Sequence, residues 1–103
     1  MRLNPKPTAI FSFNDNLAIG VLKAVREFGL EVPDDISIMG ADNIPIGEYI
    51  YPSLTTINYP IEKIAENATD LILTKINNKE SNDLKTITLP YKLIKRDSTS
   101  MVK

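Results

Sequence analysis

The 103-residue sequence contains no cysteine, no histidine and no tryptophan. Without cysteine it has no disulfide bonds and no cysteine-based zinc site. Without histidine it has neither a His-containing catalytic triad nor the side chain that most often acts as acid or base near neutral pH. Asp, Glu, Lys and Tyr remain able to do chemistry, so these absences disfavour an enzyme without forbidding one.

The sequence also lacks a strong charge of either sign, because 12 Lys and Arg balance 13 Asp and Glu to a net charge of −1. Nucleic-acid binding by these residues alone would require a basic face. No apolar run approaches the roughly 18 residues that span a membrane. Residues 1–10 lack the apolar core of a signal peptide. We therefore expect a cytoplasmic protein that does not contact a membrane.

Three short apolar runs, residues 8–13, 36–42 and 54–59, predict buried strands. An amphipathic helix is predicted between the first two runs, and a second one over about residues 60–76. A strand, a helix and a strand within about 35 residues are typical of a right-handed parallel crossover unit. The sequence therefore predicts the α/β class, with a Rossmann-like parallel sheet and flanking helices.

The first helix has clear start and stop signals. Its apolar residues trace one face from Leu17 to Phe28. Asn14 or Asp15 fits the N-cap, and Gly29 fits the left-handed position just past the end. The apolar face, which includes Ala18, Leu22 and Val25, is well suited to packing on the sheet.

The remaining segments give weaker patterns. Residues 43–53 are irregular, with one helical turn expected near residues 46–50. Residues 77–83 read as a polar loop, and residues 85–98 predict two short strands interrupted by a proline. We expect the tail, residues 98–103, to be frayed.

Polar side chains follow each of the three predicted parallel strands, namely Asn14, Asp15 and Asn16, then Asp42 and Asn43, then Asn58 and Tyr59. Ligands of open parallel sheets bind beyond the carboxyl ends of the strands. Amide and carboxyl groups together offer donors and acceptors that suit hydroxyl-rich ligands such as sugars or nucleosides. These clusters therefore predict a small-molecule site at one edge of the sheet.

Each polar cluster also has a simpler interpretation. Asn14 and Asp15 fit helix caps, Asp42 fits a turn, and Tyr59 fits a half-buried strand position. The spacing of the acidic residues resembles no calcium loop, and no glycine-rich phosphate loop occurs. We therefore expect no metal and no cofactor.

Several motifs, in their order and spacing, resemble the lactose/galactose repressor family of bacterial transcription regulators. They are "FNDNLAIG", "GLEVPDDIS", "PSLTTINYP" and "KRDST", and the resemblance runs over about residues 7–99. It covers the C-terminal part of the effector-binding domain of that family. The resemblance implies a partial periplasmic-binding-protein-like fold, in which two lobes close around a small effector.

The resemblance implies a repressor whose effector, expected to be a sugar, shifts a homodimer between operator-binding and released states. Operator DNA would be bound only through an N-terminal domain that these 103 residues do not include. The resemblance assigns effector binding to Asn14, Asp42 and Tyr59, while Asp15 and Asn16 would start the helix. It assigns the dimer interface to part of the first helix and the loop beyond the second strand: Ala18, Leu22, Val25, Ile46 and Tyr49.

The resemblance also divides the chain. Residues 1–59 would belong mainly to the C-terminal lobe, residues 60–90 to the other lobe of the intact protein, and residues 91–103 to a return strand and tail. The second helix would then lack the sheet on which it packs. Ala41 stands where the family usually has an aromatic residue, which would alter the pocket wall or the packing.

Two other functions remain open from the sequence. A fragment of an extracellular sugar-binding protein of a transporter would share the fold, although the quoted motifs fit the repressors better. A small hydrolase or nucleotide-binding enzyme would use a similar sheet, but the chain lacks histidine, cysteine and a phosphate loop. Upstream DNA would separate the first two, since a helix-turn-helix indicates a repressor and a signal peptide indicates a transporter protein.

Overall fold

The computed structural model describes residues 2–78 and 85–103, and the chain divides into two compact units. The first unit runs to Asn58 and resumes over Lys92–Lys103. The second unit is Tyr59–Tyr91. No helix in the described ranges is both long and apolar enough to cross a membrane.

The first unit contains four short strands, which are β1 (Ala9–Phe11), β2 (Ser37–Met39), β3 (Thr56–Asn58) and β4 (Lys92–Ile94). β1 pairs with β2 in parallel, and β3 pairs with β4 antiparallel. A parallel bridge between Met39 and Thr55 connects β2 to the start of β3, and the Gly40 N–H donates to the Thr55 carbonyl at 3.0 Å. The predicted α/β class, with three strands running in the same direction, is confirmed.

Helix α1 (Asp15–Glu27) connects β1 to β2. As predicted, Gly29 lies just past its end, and its φ of +76° lies in the left-handed region that glycine adopts at no steric cost. The Gly29 N–H donates to the Arg26 carbonyl at 2.9 Å, and the Leu30 N–H donates to the Val25 carbonyl at 3.2 Å. This pair of bonds is a Schellman motif, which satisfies carbonyls that the helix end would leave free.

The apolar face of α1 packs on β2 and on the residue that precedes the third strand. The buried core consists of Ala18, Leu22, Val25, Ile36, Ile38 and Leu54. Three of these residues, Ala18, Leu22 and Val25, were expected at a dimer interface. That expectation is corrected, because their side chains are at most 4% exposed and pack inside the first unit.

Gly40 allows α1 to lie directly against the end of β2. A Cβ atom at Gly40 would overlap Oδ1 of Asp15 and lie 3.1 Å from the Asp15 Cα and 3.2 Å from the Ala18 Cβ. Both distances are shorter than ordinary carbon–carbon contacts. The absence of a side chain at Gly40 therefore sets how closely the first turn of the helix approaches the sheet.

The C-terminal segment is not frayed as expected, because Ser98 is fully buried. The Ile38 N–H donates to the Ser98 carbonyl at 2.8 Å, and Ser98 Oγ donates to the Ile38 carbonyl at 2.6 Å. Ser98 Oγ also accepts from the Thr55 N–H at 2.8 Å. Ser98 therefore bridges β2 and the residues that begin the third strand.

Between β2 and β3 the chain forms one short helix, α2 (Ile46–Tyr49), which confirms the predicted helical turn. The Leu54 N–H donates to the Gly47 carbonyl at 2.8 Å, so this turn is tied to the segment that enters β3.

The second unit contains helix α3 (Ile61–Asn77) and the segment over residues 85–91. No residue of α3 is buried, although its apolar residues recur at helical spacing. Residues 85–90 form no strand, so the prediction of two strands in residues 85–98 is wrong for the first of them. The predicted polar loop over residues 77–83 lies mostly outside the described residues.

Candidate functional site

The polar side chains that follow β1, β2 and the third strand lie at one edge of the first unit, and we call Asn14, Asp42, Asn43 and Asn58 the carboxyl rim. The Asp15 N–H donates to the Ala41 carbonyl at 2.8 Å, which joins the segments after β1 and β2. The Asp42 N–H donates to the Ile57 carbonyl at 2.9 Å, which joins the second segment to β3. Asn14 precedes Asp15 and Asp42 follows Ala41, so the hydrogen bond between Asp15 and Ala41 brings Asn14 and Asp42 to the same edge of the sheet.

Asn14 is the N-cap of α1. Its Oδ1 accepts from the Leu17 N–H at 2.8 Å, so of the two residues predicted to fit the N-cap, Asn14 makes the capping bond. Among the described residues its Nδ2 has no hydrogen-bond partner, and the side chain is only half-buried. One side chain can therefore cap the helix with its oxygen and donate to a ligand with its nitrogen.

Asp15 is fully buried directly beneath the carboxyl rim. Its Oδ1 accepts from Thr56 Oγ1 at 2.7 Å, and its Oδ2 accepts from the Ile44 N–H at 2.9 Å. The carboxyl group therefore connects the start of α1, the loop after β2, and β3. Sequence reasoning placed Asp15 in the polar cluster after the first strand and at the start of the helix. It did not predict these two contacts, because both partners are distant in the chain and no local pattern reveals them.

Asp42 lies at the tip of the loop after β2, with an exposed side chain. Its φ is +107° and that of Asn43 is +53°, the two non-glycine residues of the described chain with positive φ. Asp and Asn tolerate this region better than other residues, but the conformation still costs free energy. Within the described residues the Asp42 carboxyl group accepts no hydrogen bond, so it remains available to a ligand.

A chain of hydrogen bonds runs along the rim from Arg96 to Asn58. Arg96 Nη2 donates to Asn43 Oδ1 at 2.9 Å, and Asn43 Nδ2 donates to Asn58 Oδ1 at 3.1 Å. The Asn43 N–H also donates to Thr56 Oγ1 at 3.2 Å. These contacts hold the loop after β2 against β3. Sequence reasoning placed Asn58 at this edge but did not identify Arg96 as a contributor.

The other residues assigned from the sequence lie elsewhere. Tyr59 begins the second unit, and its side chain is 37% exposed. Ile46 and Tyr49 are on α2 and are 50% and 77% exposed. A mainly apolar groove of about 570 Å³ separates the exposed side of α1 from the residues after α2, and it is lined by Ile19, Leu22, Lys23, Arg26, Glu27, Ile50 and Tyr51.

The rim carries no group of metal ligands. In residues 2–78 and 85–103, no three His, Cys, Asp or Glu side chains lie close enough together to hold a metal ion. Ser12, at the end of β1, has a buried hydroxyl with no hydrogen-bond partner in the described part of the chain. The chemistry that the rim offers is hydrogen bonding by amide, carboxyl and hydroxyl groups.

Comparison with known proteins shows which family has this architecture. A family model described as a periplasmic binding protein-like domain matches residues 1–99. The lactose operon repressor of Rhizobium radiobacter is 38% identical over 98 residues, which cover 95% of this chain and 85% of the relative. The repressor PurR of Vibrio vulnificus is 38% identical over 97 residues, which cover 94% of this chain and 29% of the relative.

A solved structure gives the same result. A LacI family transcriptional regulator from Enterococcus faecium, with bound ribose, matches with a TM-score of 0.80 and 40% identity. The match covers 93% of this chain and 36% of that one. The chain therefore spans about a third of the length of this structure and of the Vibrio repressor.

A parallel sheet with polar loops at the carboxyl ends of its strands is thus the architecture of a periplasmic binding protein-like domain. The relatives are transcriptional repressors, so the alternative of a transporter's sugar-binding protein is not favoured. The chain belongs to the lactose/galactose repressor family of bacterial transcription regulators.

Proposed function

We propose that these residues form the effector-binding and dimerisation part of a cytoplasmic transcriptional repressor that senses a sugar. The observation that carries the proposal is the carboxyl rim, where Asn14 Nδ2 and the Asp42 carboxyl group have no partner among the described residues. Such groups suit a ligand that presents several hydroxyls. The ribose held by the Enterococcus faecium regulator supports a sugar as the ligand class.

In this proposal each rim residue has a distinct role. Asn14 Nδ2 donates to a sugar oxygen while its Oδ1 continues to cap α1. Asp42 accepts from sugar hydroxyls, and Tyr59 keeps the effector-binding role that the family resemblance implies. Loss of one such group leaves its ligand partner unsatisfied, which costs about 1–3 kcal/mol of binding free energy.

The second unit belongs, in this proposal, to the other lobe of a longer protein. The support is α3, whose apolar residues are exposed within its own unit, for example Ile64, Ile72 and Ile76. An amphipathic helix in a globular protein is normally stabilised by packing of that face. Closure of two lobes around the sugar would then shift the protein between operator-binding and released states.

The homodimer contact is proposed on α2 and on the exposed side of α1. Ile46 and Tyr49 are exposed, and the nearby groove carries both Lys23 and Glu27. A two-fold interface places one patch against its own copy, so a patch with both charge signs can pair with itself. Light scattering on the complete gene product should give a dimer, and Tyr49→Asp should give a monomer. A dimer unchanged by Tyr49→Asp would place the interface elsewhere.

The effector site is tested by a thermal-shift screen of the complete gene product with ribose, other sugars and nucleobases. A ligand that binds the native state raises the melting temperature by mass action. Asn14→Asp keeps the capping oxygen and removes the amide donor, so it should preserve the melting temperature without ligand and weaken the shift. Asn14→Ala removes both functions and should lower both. A full shift with Asn14→Asp would exclude Asn14 from the site.

A further inference from the structure

Arg96 lies just beyond β4, and its guanidinium group is directed at the carboxyl rim. Nη2 donates to Asn43 Oδ1 at 2.9 Å, and Nη1 donates to the Leu54 carbonyl at 3.0 Å. The Arg96 N–H donates to Thr55 Oγ1 at 3.0 Å. The side chain is half-buried, so these contacts lie partly out of solvent.

The contacts of Arg96 are with neutral acceptors rather than with an acidic side chain. The ion pairs in the described part of the chain are Lys23–Glu27 and Lys103–Asp34, and both are largely exposed. Hydrogen bonds from a charged donor are stronger than bonds between neutral groups. The guanidinium bonds of Arg96 therefore stabilise the positions of the Asn43 side chain and the Leu54 carbonyl.

The residue that Arg96 holds is adjacent to the proposed sugar ligand Asp42. Asn43 and Asp42 both have positive φ, a conformation that persists only when surrounding contacts impose it. Asn43 is fixed by Arg96 on one side and by Asn58 and Thr56 on the other. Without the contact from Arg96, Asn43 loses its only charged partner among the described residues.

We propose that Arg96 is a positioning residue of the effector site, which presents Asp42 to the sugar by fixing Asn43 in its positive-φ conformation. The proposal rests on the function proposed above for Asp42. The planar guanidinium reaches two acceptors, Asn43 Oδ1 and the Leu54 carbonyl, in fixed directions. A lysine ammonium is a single point charge on a flexible stem and does not reproduce this geometry.

The first test needs no ligand and uses hydrogen exchange in the complete gene product. Arg96→Lys should accelerate exchange at the amides of Asp42 and Asn43 by about tenfold and leave the α1 amides unchanged. Arg96→Met should do the same, whereas Lys95→Met removes an adjacent exposed charge and should change neither region. Unchanged exchange at Asp42 and Asn43 in both Arg96 variants would overturn the proposal.

The second test measures ribose affinity by calorimetry for Arg96→Lys, Asp42→Ala and the double variant. We expect Arg96→Lys to weaken ribose binding about tenfold, and the double variant to bind no more weakly than Asp42→Ala alone. Additive losses would overturn the proposal, because Arg96 would then act independently of Asp42.

The two tests separate this proposal from the proposed function. Ribose binding that is unaffected by Asp42→Ala would contradict the assignment of Asp42 to the sugar, and with it the role of Arg96 in presenting Asp42. Ribose binding that is lost in Asp42→Ala but unaffected by Arg96→Lys would contradict only the role of Arg96. Asn43→Ala provides an independent check on the same contact, since it should reproduce the loss seen in Arg96→Lys.

Discussion

The two units of the chain each contain an amphipathic helix, but only the first unit buries the apolar face of its helix. In the first unit, α1 buries Ala18, Leu22 and Val25 against the sheet. In the second unit, α3 has an apolar face of comparable length and buries none of its residues. An amphipathic pattern therefore shows which face of a helix needs a partner, and does not show whether that partner lies in the same unit.

The packing of the first unit also explains why the residues of the carboxyl rim are held in fixed positions. The carboxyl rim is built on the first unit, where buried Asp15 and the Arg96 contact hold it from below and from the side. Tyr59 belongs to the second unit, which has no buried helix residue to hold it. We infer that the carboxyl rim is preformed within the first unit.

The sharpest test of the comparison is to shorten one apolar side chain in each helix. Leu22→Ala should lower the free energy of unfolding of the 103-residue chain by about 3 kcal/mol, because it leaves a cavity in the core. Ile72→Ala should change it by less than about 0.5 kcal/mol, because the side chain is already exposed. Urea denaturation followed by circular dichroism measures both. Equal losses would show that α3 is packed after all.

The next largest effect should come from the buried carboxyl group under the rim. Asp15→Ala leaves the Thr56 hydroxyl and the Ile44 N–H without their acceptor, and should cost about 2 kcal/mol of unfolding free energy. Asp34→Ala is the control and should cost less than about 0.5 kcal/mol, since the side-chain contact of Asp34 among the described residues is an exposed ion pair. Asp15→Ala with the stability of the unchanged chain would contradict the role given to Asp15.

A smaller effect, with opposite signs at two positions, is expected for glycines. Gly40→Ala places a methyl group against Asp15 and Ala18, and should destabilise the chain by about 1.5 kcal/mol. Gly20→Ala, within α1, has no atom nearby and should stabilise the chain by about 0.5–1 kcal/mol. The same urea titration distinguishes them. Stabilisation by both substitutions would show that α1 does not lie close against β2.

The features that were predictable from the sequence depend on neighbours in the chain. The cap of α1 joins residues three apart, Asn14 and Leu17, and the stop at Gly29 follows from one residue type at one position. The parallel order of the strands followed from the length of the connection between them.

The features that the sequence did not reveal depend on distant partners. Ser98 contacts Thr55 and Ile38, which are 43 and 60 residues away. Because no local pattern reveals such distant partners, the C-terminal tail was expected to fray. The partners of Arg96 lie 42 and 53 residues from it. Short polar residues near a chain end give no local sign of such contacts, since their burial is decided by the assembled sheet.

The sequence pattern also could not show whether the apolar face of α1 packs in the core or at a dimer interface. Both a core and a dimer contact require apolar residues at helical spacing, so Ala18, Leu22 and Val25 fitted either. Only the position of β2 and Leu54 against that face decided between them.

The most direct test of the carboxyl rim is hydrogen exchange of the complete gene product with and without saturating ribose. We predict slower exchange in residues 12–17 and 40–45 when the sugar is bound, and no change in residues 30–36 or 98–103 at the opposite ends of the strands. Protection confined to residues 30–36 or 98–103, or no protection in residues 12–17 and 40–45 with the sugar bound, would contradict the account.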